Sequence, residues 1–168
     1  MASFAGVLAV HQGQVALVQE RYDMWDREYW NQPGGAVEED ESPLEAAARE
    51  LAEETGLVVG VDDLVPISTM VVTDQFGEVR SQAWNFTVDV EATELRPDDP
   101  HVRGARWFDR DEAVDLLTQV PYPPIAEPAV AYLRGTAPPV VSWSFALTTP
   151  PGEPPVFAWV APDPGRRH

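Results

Sequence analysis

The sequence contains no cysteine and no lysine. The first absence removes disulfide frameworks, thiolate zinc sites, iron–sulfur clusters and cysteine nucleophiles. The second removes lysine Schiff bases and any phosphate-loop lysine, since all 11 basic residues are arginine. Positive charge is scarce altogether: 11 Arg stand against 28 Asp and Glu, for a formal charge of −17. Such a surface repels phosphate backbones and anionic headgroups, so neither nucleic acid nor a membrane is expected as a partner. No apolar run approaches the roughly 20 residues that span a bilayer, and the first ten residues carry no basic leader pattern. The expectation is a soluble, cytoplasmic protein. What is present suffices for a core: 168 residues, 44% of them hydrophobic, fit one domain and exclude wholesale disorder.

Residues 4–10 and 14–19 are apolar runs separated by His11-Gln12-Gly13, the pattern of a β-hairpin. Residues 21–33 are polar and aromatic without clear periodicity and close on the turn Pro33-Gly34-Gly35. Ser42 as cap, Pro43 in the first turn, Glu45 three after the cap and Gly56 as stop predict a helix over 43–55. Val, Ile, Thr and aromatic residues in 57–73 and 79–90 predict strands around an Asp74-Gln75-Phe76-Gly77 turn. A short strand at 105–108 then leads into Asp109-x-x-Glu112, which predicts a capped second helix. The order is β, β, α, β, β, β, α. Twelve of the 17 prolines fall in the last 48 residues, which sets Pro121 onward apart from the body. Within that region Val141, Trp143, Phe145 and Leu147 alternate with small residues, as do Phe157 and Trp159, and 148–152 supply a turn. The reading is a main domain over 1–135. A proline-rich aromatic hairpin in 136–168 packs on that domain or on the partner of a homodimer, and its rival is a tail that orders only on dimerisation.

Eight of the 23 residues in 35–57 are acidic, and only Arg49 is basic. At about 100° per residue, Leu44, Ala48, Leu51 and Thr55 fall within about 60° of one another and define an expected buried stripe. Glu50, Glu53 and Glu54 follow at i, i+3 and i+4 on the opposite side, with Ala46 and Ala47 beside them. Like charges at this spacing oppose helix formation unless a cation offsets them. An all-oxygen donor set selects Mg²⁺, Mn²⁺ or Ca²⁺ over zinc, and Mg²⁺ keeps open positions for water and phosphate oxygens. Gly34-Gly35 lets the backbone approach a metal or phosphate closely. Arg49 is placed to fix a carboxylate rotamer.

Read as a spacing, the segment is Gly35, five residues, Glu41, seven residues, then Arg49-Glu50-Leu51-Ala52-Glu53-Glu54-Thr55-Gly56-Leu57. This resembles the Nudix box, G-x5-E-x7-R-E-U-x-E-E-x-G-U with U apolar, at all nine specified positions. Trp30, Pro33-Gly34-Gly35 and Arg106-Trp107-Phe108 extend the resemblance to about residues 3–120. It implies an α/β fold, with a mixed β-sheet in an α/β/α sandwich. It also implies hydrolysis of a nucleoside diphosphate linked to another group, a small-molecule substrate. By the family's pattern, Glu50, Glu53 and Glu54 bind Mg²⁺ or Mn²⁺, a carbonyl of Gly34 or Gly35 adds a ligand, and Arg49 orients a carboxylate. Water attacks phosphorus with metal assistance, and Glu53 is the first choice as base.

The family often adds an acid from a later loop; here that loop reads Asp98-Asp99-Pro100-His101-Val102, and Asp98, Asp99 and Glu78 are the candidates. The downstream markers of known substrate classes are missing. Ser81-Gln82-Ala83-Trp84-Asn85-Phe86 resembles the NADH pyrophosphatase signature without its prolines and too far along the chain. Trp25, Trp30, Trp84 and Phe86 are the aromatics on which a base could stack. Two readings compete: a pyrophosphohydrolase, and a Nudix-like nucleotide-binding or regulatory module without turnover. Such modules usually lose box carboxylates, and none is lost here. A prenyl-diphosphate isomerase would need the missing cysteine.

Overall fold

The computed structural model describes residues 1–91, 94–136, 141–149 and 156–160. Strand β1 (Ala2–His11) turns through Gln12 and Gly13, both at positive φ, into β2 (Gln14–Glu20), as the apolar runs predict. The two strands pair only at the turn, Val10 with Val15 and His11 with Gln14. Further back they part, and β4 (Gly34–Ala36) runs antiparallel to β1 while β3 (Tyr29–Asn31) joins β2. Strand β3 lies where the sequence has no clear period, because three residues are too few to display one, and β4 takes in Gly34 and Gly35, which the sequence assigns to a turn.

Helix α1 (Pro43–Thr55) begins with the expected capping box: Ser42 Oγ accepts from the Glu45 N–H, and the Glu45 carboxylate accepts from the Ser42 N–H. It ends at Gly56, which holds φ 77°, and a Cβ there would stand 2.9 Å from the Arg96 carbonyl. After a single 3₁₀ turn (Val61–Asp63), β5 (Val65–Thr73) and β6 (Val79–Asp89) form an antiparallel pair, and β6 lies parallel to β1 from Ala2 opposite Ser81 to Val10 opposite Asp89. Strand β7 (Gly104–Asp109) returns to β2, and helices α2 (Arg110–Leu117) and α3 (Pro123–Arg134) follow. The expected capping by Asp109 does not form; its carboxylate instead accepts from Gln14 Nε2 across the sheet. Finally β8 (Val141–Leu147) runs parallel to β5, and β9 (Phe157–Val160) antiparallel to β8. The expected turn residues Pro150, Pro151 and Gly152 lie outside the described residues. So does the remainder of the 136–168 extension, apart from Thr136, β8, β9 and the residues adjoining them.

The result is a nine-stranded mixed sheet of order β3-β2-β1-β6-β5-β8-β9, with β4 on β1 and β7 on β2, between helices on both faces. One face, with Ala5, Val7, Ala9, Phe86 and Val88, packs on α1 through Ala46, Ala47 and Leu51. The other, with Leu8, Val15, Leu17, Ile67 and Phe108, packs on α2 and α3 through Ala113, Leu117, Ala129 and Leu133. Helix α3 corrects the expectation that Pro121 onward stands apart. Pro123 and Pro124 occupy the first turn, where a missing N–H costs nothing, and only Pro128 sits inside. Trp143 and Phe145 of β8 are buried against Met70, Val72 and Ala83. Among the described residues no helix is long and apolar enough to cross a membrane.

Candidate active site

Helix α1 is rotated from its expected setting. Ala46 and Ala47, placed outward by the hydrophobic pattern, are completely buried, and so are Leu51 and Thr55, whereas Leu44 and Ala48 are half-buried. The buried arc spans about 180° at helical spacing, and Glu50 and Glu54 lie near its centre. They are 8% and 4% exposed, while Glu53 stays open to solvent. Small alanines let the helix approach the sheet, and glycine makes room for the acids. A Cβ on Gly35 would collide with the Glu50 carboxylate, and one on Gly34 would collide with the Ala5 carbonyl of β1. The acidic surface is therefore not an open outer face but a half-enclosed centre between α1 and the Gly34-Gly35 strand.

Arg49 organises the rim. It holds Glu41 in a fork, with Nε and Nη2 each donating at 2.8 Å. Its Nη1 donates to Glu50 at 2.8 Å and to Glu53 at 3.3 Å, and Nη2 also reaches the Ala36 carbonyl at 3.0 Å. Glu54 accepts from the Gly34 backbone N–H at 2.8 Å. The last turn of α1 is closed by the loop that follows β6. The Thr55 carbonyl accepts from the Arg96 N–H, and the Glu53 carbonyl accepts from the N–H groups of both Asp98 and Asp99. Helix-end carbonyls that would lack partners are satisfied this way, and the loop is fixed beside the centre.

One further carboxylate belongs to this assembly and escaped the sequence reading. Glu20, at the end of β2, is 6% exposed, and its Oε1 accepts from Asn31 Nδ2 at 2.9 Å. Burial pushes the Glu20 carboxyl up to about 7; the bonds from Asn31 and Tyr22 hold it down, and the charges of Asp99 and Glu50 raise it further. Burial likewise pushes Glu54 up to about 9, with Glu20 the largest charge acting on it, against the lowering bond from Gly34 and with Glu50 and Asp99 adding repulsion. Glu50 is raised too, chiefly by burial, although Arg49 opposes the shift. Glu41, the exception, is held low by Arg49. The sequence signal for Glu20 is a single charge ending an otherwise apolar strand run, which by itself reads as a strand end.

Of the loop candidates, Asp99 acts on Glu20, Glu50 and Glu54, while Glu78 sits in the β5–β6 turn organised by Asp74. Each of the aromatic candidates has a packing role in the fold. Phe86 is a core residue under α1, with Trp84 half-buried beside the same cluster. Trp30 packs edge-on to Phe108 at 4.8 Å, and Trp25 is buried with Tyr29, Val120 and Ala126.

Held by Arg49 and Gly34, the acids do not stand in a closed ring: among the described residues no three His, Asp or Glu side chains are gathered at ligand spacing. Their chemistry nonetheless fits a hard divalent cation. The donors are all oxygen, they are crowded and half-buried, and their burial favours the neutral form unless positive charge arrives.

The family model described as NUDIX domain matches residues 1–128, and the chain belongs to that family of hydrolases. It is similar to the phosphatase NudJ of Escherichia coli K12, 29% identical over 127 residues that cover 74% of this chain and 78% of the relative. In structure it resembles the mutator MutT protein of Bacillus halodurans, with a TM-score of 0.66, 23% identity, and 95% of this chain and 97% of that one covered. It also resembles the NUDIX domain of Shewanella oneidensis NrtR, a structure in complex with ADP ribose, with a TM-score of 0.62, 20% identity, and 80% and 86% covered.

Proposed function

We propose that this chain uses Mg²⁺ or Mn²⁺ to hydrolyse the pyrophosphate bond of a nucleoside diphosphate linked to another group, such as a nucleoside triphosphate, a modified nucleotide or a nucleotide sugar. The observation that carries the reading is the burial of Glu50 and Glu54 beside Glu20, with too little positive charge to compensate them. Such an arrangement is costly for an empty protein and is relieved by a divalent cation. The phosphatase name of the NudJ relative and the ADP-ribose complex of the NrtR domain support a phosphoanhydride or related phosphate ester as substrate.

In this reading Glu50, Glu53 and Glu54 hold the cation, with a carbonyl of Gly34 or Gly35 beside them. A bound cation would neutralise the diphosphate and lower the pKa of a water attacking phosphorus. Arg49 sets the rotamers of Glu50 and Glu53, so that one cation on the helix fixes two acids. Glu53, the exposed member, accepts the proton of the attacking water in this reading. Glu20 and Asp99 add negative charge behind the ligands, and Asn31 keeps Glu20 from swinging away.

The test is product release by purified protein with Mg²⁺ and then Mn²⁺, across triphosphates, oxidised triphosphates, nucleotide sugars, ADP-ribose, NADH and dinucleoside polyphosphates. Turnover that chelator and Glu53→Gln both abolish is the expected result. Ligand-induced stabilisation without turnover on any of them would favour the nucleotide-binding module instead.

A further inference from the structure

On the sheet face covered by α2 and α3, two apolar clusters are separated by a row of buried polar side chains. On one side lie Leu8, Leu17 and Ile67, and on the other Met70, Ala83 and Phe145. Between them Ser68 of β5 stands opposite Asn85 of β6, and Asn85 stands opposite Gly6 of β1. Gln32 reaches over Gly6, and a Cβ there would stand 2.7 Å from Gln32 Nε2 and 2.9 Å from Asn85 Oδ1. Gln32 Nε2 donates to Asn85 Oδ1 at 2.8 Å, and Asn85 Nδ2 donates to Ser68 Oγ at 3.0 Å. The three residues are only 6%, 4% and 4% exposed.

The row is incomplete at one atom. Gln32 Oε1 is sealed from solvent and has no hydrogen-bond partner among the described residues. Buried acceptors are nearly always paired, because leaving one unpaired is costly. The backbone of Gln32 is pinned from the catalytic side: its N–H donates to Asn31 Oδ1, Asn31 holds Glu20, and two residues further Gly34 holds Glu54. The amide is thus carried on the same short segment that lines the candidate centre, with its oxygen unmatched.

We propose that Gln32, supported by Asn85 and Ser68, is a specificity-determining residue, and that it reads a heterocycle bearing an N–H donor beside a ring acceptor, the edge a nucleobase presents. Gln32 Oε1 accepts from the ligand N–H, and the second hydrogen on Nε2 faces the ring acceptor, the two-point pairing that amides make with base edges. Because the oxygen is sealed, the ligand edge enters the row rather than resting on the surface. The inference rests on the hydrolase reading only for the diphosphate that carries the base.

Binding in chelator separates the two. Calorimetry compares AMP, GMP, CMP and UMP with purine riboside 5′-monophosphate, which has the purine ring without an exocyclic N–H. The wild type is expected to prefer at least one of the four by about tenfold, the worth of one buried hydrogen bond. Gln32→Met should lose the preference, and because it also takes the donor from Asn85 Oδ1, a melt run beside the titration checks that the variant is folded. Equal wild-type affinity for purine riboside monophosphate and the best of the four would overturn the proposal, without needing any variant to fold. So would a folded Gln32→Met that keeps the preference. Base preference without metal-dependent turnover would sink the hydrolase reading and leave this one standing; turnover without base preference would do the reverse.

Discussion

The two faces of the sheet bury polar groups in opposite ways. Under α1 the buried groups are acids, Glu20, Glu50 and Glu54, whose charges repel one another, and Arg49, their one close cation among the described residues, lies at the rim. Under α2 and α3 they are neutral, Gln32, Asn85 and Ser68, and they satisfy one another except at a single oxygen. In the proposed reading the charged side trades stability for a cation-ready centre, so its cost should vary with pH and with added metal. The neutral side carries the cost of one unpaired acceptor, and that cost should respond to neither.

The largest effect that would sharpen this contrast is on rate. Glu53→Gln should lower turnover by about 10²–10⁴, the usual contribution of a positioned base, with the melting temperature almost unchanged because Glu53 is exposed. Steady-state kinetics beside a melt in the same buffer checks both halves. Next, Arg49→Met takes the cation from the buried Glu50. Losing one partner of a buried pair costs about 3–5 kcal/mol. Because the Arg49 side chain is 26% exposed, water replaces part of it, and about 2 kcal/mol is expected from urea unfolding in chelator.

A third outcome depends on pH. The Glu54 and Glu20 carboxyls are raised from 4.5 to about 9 and about 7, so between those values the folded protein holds more protons than the unfolded chain. Stability is then full below 4.5 and falls as pH rises through 7 and 9. The metal-free protein should therefore melt lower at pH 8.5 than at pH 5.5, and Mg²⁺ should reduce the difference. Glu54→Gln should raise the pH 8.5 melting temperature and flatten the slope, with Glu20→Gln doing so more weakly. A slope unaffected by either substitution would erase the distinction between the faces. The smallest effect belongs to the neutral side: Ser68→Ala should cost about 1 kcal/mol at every pH.

The hairpin of β1 and β2, the capped helix α1 and the central strands were legible because each rests on a local signal, a turn glycine, a capping box or a run of β-branched residues. The box residues were legible as a spacing, but their burial was not. Apolar periodicity places Leu44 and Ala48 inward and the acids outward, and it cannot register that Gly35 on a neighbouring strand leaves a hollow for the Glu50 carboxylate. Glu20 and Gln32 were invisible for a related reason. Each acquires meaning from a partner far along the chain, Glu54 for one and Asn85 for the other. Helix α3 was hidden by its prolines, which read as a change of character although two of them stand where a helix tolerates them best.

The parallel pairing of β1 with β6 bears on how the chain reaches this state. Ala2 meets Ser81 and Val10 meets Asp89, so the strand at the middle of the sheet finds its long partner only after some eighty residues have been brought back to it. Loop closure over that span precedes any reward from the ladder, and chains dominated by such distant pairings fold in milliseconds to seconds rather than microseconds. Until β6 docks, β1 has only β2 and β4 as strand partners, and the Gly34-Gly35 segment is paired to the edge of an unfinished sheet. The candidate centre is therefore expected to be among the last parts of the protein to become protected from hydrogen exchange during refolding, although its sequence motif is the most compact in the chain.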